Sequence, residues 1–460
     1  MKKTTHLDEA QALEEYKALY SFYNLYPIKQ GYREDSRFSP FWKETLEQNS
    51  ILQNIDNSMI QDGVFCFSTD SASRRYYIDT HSGLIFIIDG KTCYVNTYGE
   101  HTSPQYDIFE AAFHRRFIQD ASFRNKMNAK PLFSDMTALN YLGREVRDLF
   151  SVPIIDYTVS SKKELDEILD SLKAILSESI FYKKIWFRGQ RKEYSVSRTE
   201  KTIDTLNLPN EYQTMPLLSP SISRHIGDET GYSRIAESKS RWISAFGVWL
   251  LSQSKEFPFM AIGEPDYYNV LKNLELEKML KFIDEYPYDI ADYISNVDTN
   301  NNLAYVLAIQ QYGGLTTMLD VTDDIDVAIF FTQSKLNKAT NRFELCDPTH
   351  ENIIYVFAQC ADTSTYDISR NLFSQLSFNG IFTGDYSIPA RINNQRCGLL
   401  YGASLFEFNT YSYRIIAKIH LRSSDITTTK TVEEMFPSQE MDSLFKTFSN
   451  VIPGLEGLYG

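Results

Sequence analysis

The chain has 460 residues, 43% of them hydrophobic and 14% aromatic, and 60 Asp and Glu against 46 Lys and Arg give a formal net charge of −14. It is long enough for two domains and apolar enough to bury real cores, which excludes a disordered chain. The acidic balance argues against nonspecific binding to nucleic acid or to anionic membrane, both of which need basic stripes.

The first residues, "MKKTTHLDEAQALEEY", pass from lysines into acidic helix-forming sequence without the apolar core of a signal peptide. No apolar run reaches the roughly 20 residues of a membrane span; "WISAFGVWLL" (242–251) is about half as long. The cysteines at 66, 93, 346, 360 and 397 are scattered, with no CxxC pair, and the histidines are isolated. Neither a metal site nor a disulfide framework is expected, and free thiols fit a cytoplasmic protein.

In chain order, a helix is expected over 8–23, then strands in "DGVFCFST", "RRYYIDT" and "GLIFIIDGKTCYVNTY". Asp89-Gly90 in the last marks a hairpin. "DGKT" is a turn and no phosphate loop, because Ile85 stands where the first glycine of that motif belongs. A helix over 106–120 closes a small α+β module, residues 1–150. After a connection over 130–156, Ser161-x-x-Glu164 reads as a capping box. Leu165, Ile168, Leu169, Leu172, Ile175 and Leu176 line one face of the helix that follows. "KKIWFRGQ" (183–190) reads as a buried strand ending on an arginine. Helical sequence covers 232–254, 274–283 and 289–310. Strands return in "IIYVFAQC", "GLLYGASLFEF" and "SYRIIAKIHL". Asp320, Asp323, Asp324 and Asp326 lack the glycine and glutamate of a calcium loop and read as an acidic cap on the helix "DVAIFFTQSKL".

The usual catalytic signatures, HExxH, GxSxG and GxGxxG, do not occur. Three separated segments do stand out: Phe187-Arg188-Gly189-Gln190; "AIQQYGGLTTMLDVTDDIDVAIFF" (308–331); and "PARINNQRCGLLYG" (389–402). Pro220, Ser221 and Arg224 lie between the first two, and Met435-Phe436-Pro437 follows the last. In this order they resemble the FRG domain, a bacterial family named after its Phe-Arg-Gly motif, over about 160–448. The resemblance implies an α+β (mixed α/β) chain. Residues 1–150 form the N-terminal module, and 155–460 form an FRG-type domain with a mixed or antiparallel sheet and a helical insert. The chain departs from the family pattern at Gln311, where histidine is usual, at Leu315 (proline) and at Thr317 (arginine).

The layout is also similar to ADP-ribosyltransferases of the Arg/Ser-Thr-Ser/Glu class. Arg188-Gly189 stands for the first-strand arginine, Asp320-Val321-Thr322 for the Ser-Thr-Ser strand end, and Gln395 for the catalytic glutamate. The resemblance implies an intracellular bacterial effector, of toxin or phage-defence type, with a pocket for NAD or a related nucleotide that it cleaves or transfers from. Arg188, Asp320 and Gln395 are the candidate catalytic residues. Arg188, Gly189, Gln190, Tyr312, Thr316, Thr322 and Arg391 are the candidate cofactor-binding residues; residues 1–150, which the resemblance does not cover, read as a module for partner binding or regulation. The chemistry is coherent: an arginine fork suits a diphosphate, and a carboxylate beside the ribose stabilises an oxocarbenium-like cation. Glutamine supplies no negative charge, so that task would fall to Asp320 or Glu407.

The residues leave a second reading open, a non-catalytic ligand-sensing or scaffold protein. In it Arg188 pairs with Asp320 between strands, Thr322 caps a helix, and Gln395 and Arg391 satisfy backbone groups. Tyr312-Gly313-Gly314 is then a turn.

Overall fold

The computed structural model describes residues 64–69, 73–79, 84–90, 92–95, 104–129, 152–179, 182–206, 208, 213–218, 306–314, 318–337, 339–340, 342–360, 368–369, 388–400 and 410–452, with positions 242, 245, 246 and 249. The expected helix over 8–23, most of the helical stretches between 232 and 305, the Pro220-Ser221-Arg224 element, Thr316 and Glu407 lie outside these residues.

Strands β1 (Val64–Thr69), β2 (Arg75–Asp79), β3 (Leu84–Asp89) and β4 (Thr92–Val95) form an antiparallel meander in sequence order. Asp89 pairs with Thr92, and Gly90 takes φ +60° in the tight turn between them, as the Asp-Gly signal predicts. Helices α1 (Pro104–Gln119) and α2 (Ala121–Ala129) follow. Although α1 falls within the expected N-terminal module, it packs on the next part of the chain. Ala111 is buried with Leu165, Leu169 and Val356, and the fully buried Arg115 donates from Nη1 to the carbonyls of Tyr413 (3.2 Å) and Ile415 (2.9 Å).

The second part is built on a mixed seven-stranded sheet. Its strands are β5 (Ile155–Val159), β6 (Tyr182–Gln190), β9 (Leu319–Thr322), β12 (Ile353–Cys360), β13 (Ile368–Ser369), β14 (Cys397–Leu400) and β15 (Ala417–Leu421). They run in the order β13-β14-β9-β6-β12-β15-β5, antiparallel except for the β15–β5 pair. The chain is therefore α+β, with helices beside a mixed sheet. Two short ladders stand apart: β7 (Ser195–Ser197) with β8 (Thr214–Pro216), and β10 (Ser334–Asn337) with β11 (Arg342–Leu345). Helix α4 (Glu200–Leu206) lies between β7 and β8.

Helix α3 (Lys162–Ser177) begins at the predicted cap. Ser161 accepts from the Glu164 amide (3.2 Å), and the Glu164 carboxylate takes the amide of Ser160 (2.6 Å). Leu165, Leu169, Leu172 and Leu176 face the sheet. Helix α5 (Ile325–Gln333) starts at Asp324, whose side chain accepts from the Asp326 amide (2.9 Å), in keeping with the acidic cap. It is shorter than the sequence suggests, because Ser334–Asn337 leave it to pair with β11. It is apolar on both sides. Ala328 and Ile329 join the core under the sheet, and Val327 and Phe330 pack on Met435 and Phe436 of the C-terminal segment. Helices α6 (Ala390–Asn394), α7 (Val432–Met435) and α8 (Ser443–Val451) complete this part, with a 3-10 turn at Thr410–Arg414 in place of the start of the last expected strand.

Cys93 and Cys397 are buried and Cys346 is half-buried; burial pushes the Cys93 thiol up to about 12. No helix among the described residues is long and apolar enough to cross a membrane.

The contact between α5 and β6 is set by Gly189. A Cβ there would lie 1.9 Å from the Ala328 carbonyl oxygen and 3.0 Å from Thr332 Cγ2. Gly189→Ala should therefore lower stability in urea denaturation by about 3 kcal/mol, since backbone blocks the new methyl group. Gly90→Ala meets nothing within 4 Å and should cost only about 1 kcal/mol, for its left-handed backbone.

Candidate functional site

Strand β6 sorts its side chains by the pleat. Ile185 and Phe187 enter the core under α3 and α5, whereas Trp186 belongs to the opposite face with Tyr355, Phe357 and Leu319. Lys184, Arg188 and Gln190 share the parity of Trp186 and lie on that second face. On the neighbouring strand β9, Leu319 and Val321 face the same way as Trp186. Asp320 and Thr322 must then face the other way.

This alternation decides the counterpart of Arg188. Its Nη1 donates to the main-chain carbonyl of Asp320 at 2.8 Å. The Asp320 carboxylate points to the opposite face and accepts from Gln310 Nε2 (2.8 Å) and Gln311 Nε2 (3.0 Å). An Arg188–Asp320 ion pair, one of the sequence expectations, is replaced by an arginine-to-carbonyl bond between adjacent strands. Gly189 sits under α5, so its missing side chain admits a helix.

Gln190 shares the second face with Arg188, and Thr322, Gln395, Arg391 and Tyr312 are buried elsewhere. Thr322 Oγ1 donates to the carbonyl of Gln395 (2.8 Å) and accepts from the amide of Asp324 (3.2 Å), joining β9 to the start of α5 and to the end of α6. Gln395 is buried and gives its Nε2 to the carbonyl of Met435 (2.7 Å). Arg391 is fully buried in an aromatic box, 4.6 Å from the Tyr312 ring centroid, 4.9 Å from Phe445 and 5.2 Å from Phe436; its Nη1 donates to the carbonyl of Gln311 (3.2 Å). A desolvated cation over aromatic faces contributes about 2 kcal/mol. Tyr312 is also fully buried, stacked on Phe445, and its hydroxyl donates to Asp442 Oδ2. Burial and the charge of Asp442 together push this phenol well above its ordinary range. Gly313 and Gly314 end the preceding helix, bonding back to Gln310 (3.3 Å) and Ile309 (2.8 Å) with Gly313 at φ +94°, a left-handed helix stop. Tyr312, Arg391 and Gln395 thus join parts of the core.

Two charged sets were not evident from the sequence. Asp323 binds Lys184 and Arg396 (Nε–Oδ1 2.6 Å), so one carboxylate joins strand β6 to the second and third motif segments. Burial pushes this carboxyl up, but the hydrogen bonds from Arg396 and Lys184 outweigh it and hold the pKa below 3.8. The second set lies on the Arg188 face. Arg188 is paired in register with Tyr355, Tyr355 with Lys418, and Lys418 with Asp156, one row across β6, β12, β15 and β5. Lys418 Nζ is 3.2 Å from Asp156 Oδ2 and 3.1 Å from Glu193 Oε1, and His420 Nε2 is 3.1 Å from Asp156 Oδ1. Burial disfavours the Lys418 ammonium, yet Glu193 and Asp156 raise its pKa overall. The signal for this row is the alternation of "AKIHL", which puts Lys418 and His420 on one face. Among the described residues no group of three or more His, Cys, Asp and Glu is placed to hold a metal ion.

Comparison with protein-family models, curated proteins and solved structures finds no match.

Because the folded Asp323 carboxyl titrates below its unfolded value, its ionised form stabilises the fold above 3.8, and that contribution disappears as pH falls through the folded value. Urea denaturation of wild type and Asp323→Asn should show a stability gap that is full near about pH 6 and closes toward about pH 2. Asp442 accepts from Tyr312 Oη, the Arg391 amide (2.9 Å) and the Phe445 amide (3.0 Å). Asp442→Ala leaves three buried donors without it and should cost about 3 kcal/mol or more in the same measurement.

Proposed function

We propose that the chain is a divergent FRG-type protein of bacterial toxin or phage-defence kind. Its second part binds NAD or a related nucleotide, and it acts as a ligand sensor, with residues 1–150 serving a protein partner. The observation that carries this reading is the placement of Arg188. It is half-buried on a central strand, on the face away from α3 and α5, with its fork held by the Asp320 carbonyl and with Lys418 in the same cross-strand row. A guanidinium held in this way beside the apolar side chains of Trp186 and Tyr355 is partly desolvated, which strengthens its hydrogen bonds to a phosphate.

Sensing is favoured over transfer by the geometry of the candidate catalytic groups. Breaking a glycosidic bond to nicotinamide needs a carboxylate beside the ribose. Of the candidate catalytic residues, the Asp320 carboxylate is turned from Arg188 toward Gln310 and Gln311, and the Gln395 amide is given to Met435, so neither supplies that charge beside Arg188.

Calorimetric titration of the full chain with NAD and with ADP-ribose tests the reading. Arg188→Ala, folded by circular dichroism, should bind at least tenfold more weakly, the scale of a lost charge-assisted hydrogen bond. Absence of wild-type binding to either compound would sink the nucleotide reading. Catalytic release of nicotinamide that Arg188→Ala loses would replace sensing with transfer or hydrolysis.

A further inference from the structure

On the Arg188 face, at the far end of the same row, a cleft of about 230 Å³ opens between the start of β5, strand β8 and the 3-10 turn that precedes β15. Lys418 and Asp156 supply its charged side, and Ile154, Met215 and Pro216 supply its apolar side. The Lys418 ammonium and the Asp156 carboxylate, 3.2 Å apart, present a hydrogen-bond donor and an acceptor side by side. Asp156 is about half exposed, and Glu193 Oε1 also holds Lys418 at 3.1 Å. A ligand edge can therefore engage Asp156 while Lys418 remains paired.

We infer that this cleft receives the planar heteroaromatic end of the nucleotide. Its edge N–H donates to Asp156 Oδ2, its neighbouring acceptor takes a hydrogen bond from Lys418 Nζ, and its ring lies against Ile154 and Pro216. A carboxamide on a pyridine ring and the amino-ring-nitrogen edge of a purine both carry this donor–acceptor pair. The inference rests on the nucleotide reading for the rest of the ligand and gives that ligand a direction. Arg188 and Lys418 stand in one cross-strand row two strand spacings apart, about 10 Å, with the buried Tyr355 between them. Flat apolar walls with a few convergent polar groups are the usual composition of such sites.

The test uses the full chain and four probes: adenine and nicotinamide as free rings, and AMP and nicotinamide mononucleotide as their phosphorylated forms. Asp156→Ala removes the acceptor at an exposed position, and Thr214→Trp fills the cleft from the exposed edge of β8. Both variants should weaken the preferred nucleotide at least tenfold. Arg188→Ala should weaken the nucleotide but leave its free ring bound as in wild type. The preferred pair of probes tells purine from pyridine. If Arg188→Ala loses the nucleotide while Asp156→Ala and Thr214→Trp bind it as wild type does, the cleft assignment falls and the nucleotide reading stands. If a free ring binds, sensitive to Asp156→Ala, and no nucleotide does, the cleft stands and the nucleotide reading falls. No binding by any probe overturns both.

Discussion

Helix α5 can lie on strand β6 only because residue 189 has no side chain. With the Ala328 carbonyl 1.9 Å from where a Cβ would be, any other residue would push the helix off the sheet. Much else follows from that contact. With α5 seated, its sheet side fills the core with α3, and its outer side carries Met435 and Phe436. Arg188, the next residue back along the strand, is then turned to the opposite face by the pleat alone. The glycine belongs to helix packing, and the arginine beside it belongs to the other face of the sheet, with Trp186 and Tyr355.

Buried polar groups then bind segments that are distant in the chain. Asp323 joins Lys184 to Arg396, Asp442 joins Tyr312 to the backbone of Arg391 and to the start of α8, and Arg115 joins α1 to the carbonyls before β15. Each group is costly to bury alone and is retained with its partners, which makes these positions sensitive to single changes. The aromatic box around Arg391 follows the same logic with ring faces in place of carboxylates. Several motif positions therefore hold the fold together, and along the row from Arg188 to Asp156 the buried Tyr355 gives way to an exposed carboxylate at the Asp156 end.

Much of the local structure was legible. The Ser161 cap, the leucine face of α3, the Asp89-Gly90 hairpin, the acidic start of α5 and the strand "IIYVFAQC" all depend on near neighbours in sequence. The candidate site was legible only in part. Phe187 to Gln190, Asp320 and Thr322 do come together at adjacent strands, but Tyr312, Arg391 and Gln395 enter the interior. Glu193, Lys418 and Asp156 passed unnoticed, because their relation to Arg188 runs through two intervening pairings and the parallel β15–β5 contact.

By itself the sequence determined the main helix and strands around the site, the Ser161 and Asp324 caps and the alternation that puts Arg188 on the face opposite Phe187, since these are properties of neighbouring residues. Only the tertiary structure decided what Arg188 meets. The order of the sheet places β9 beside β6, and the parity of β9 sends the Asp320 carboxylate away while leaving its carbonyl in the strand plane for the guanidinium. Strand order and register are fixed by how whole faces bury one another, and local periodicity carries no record of them.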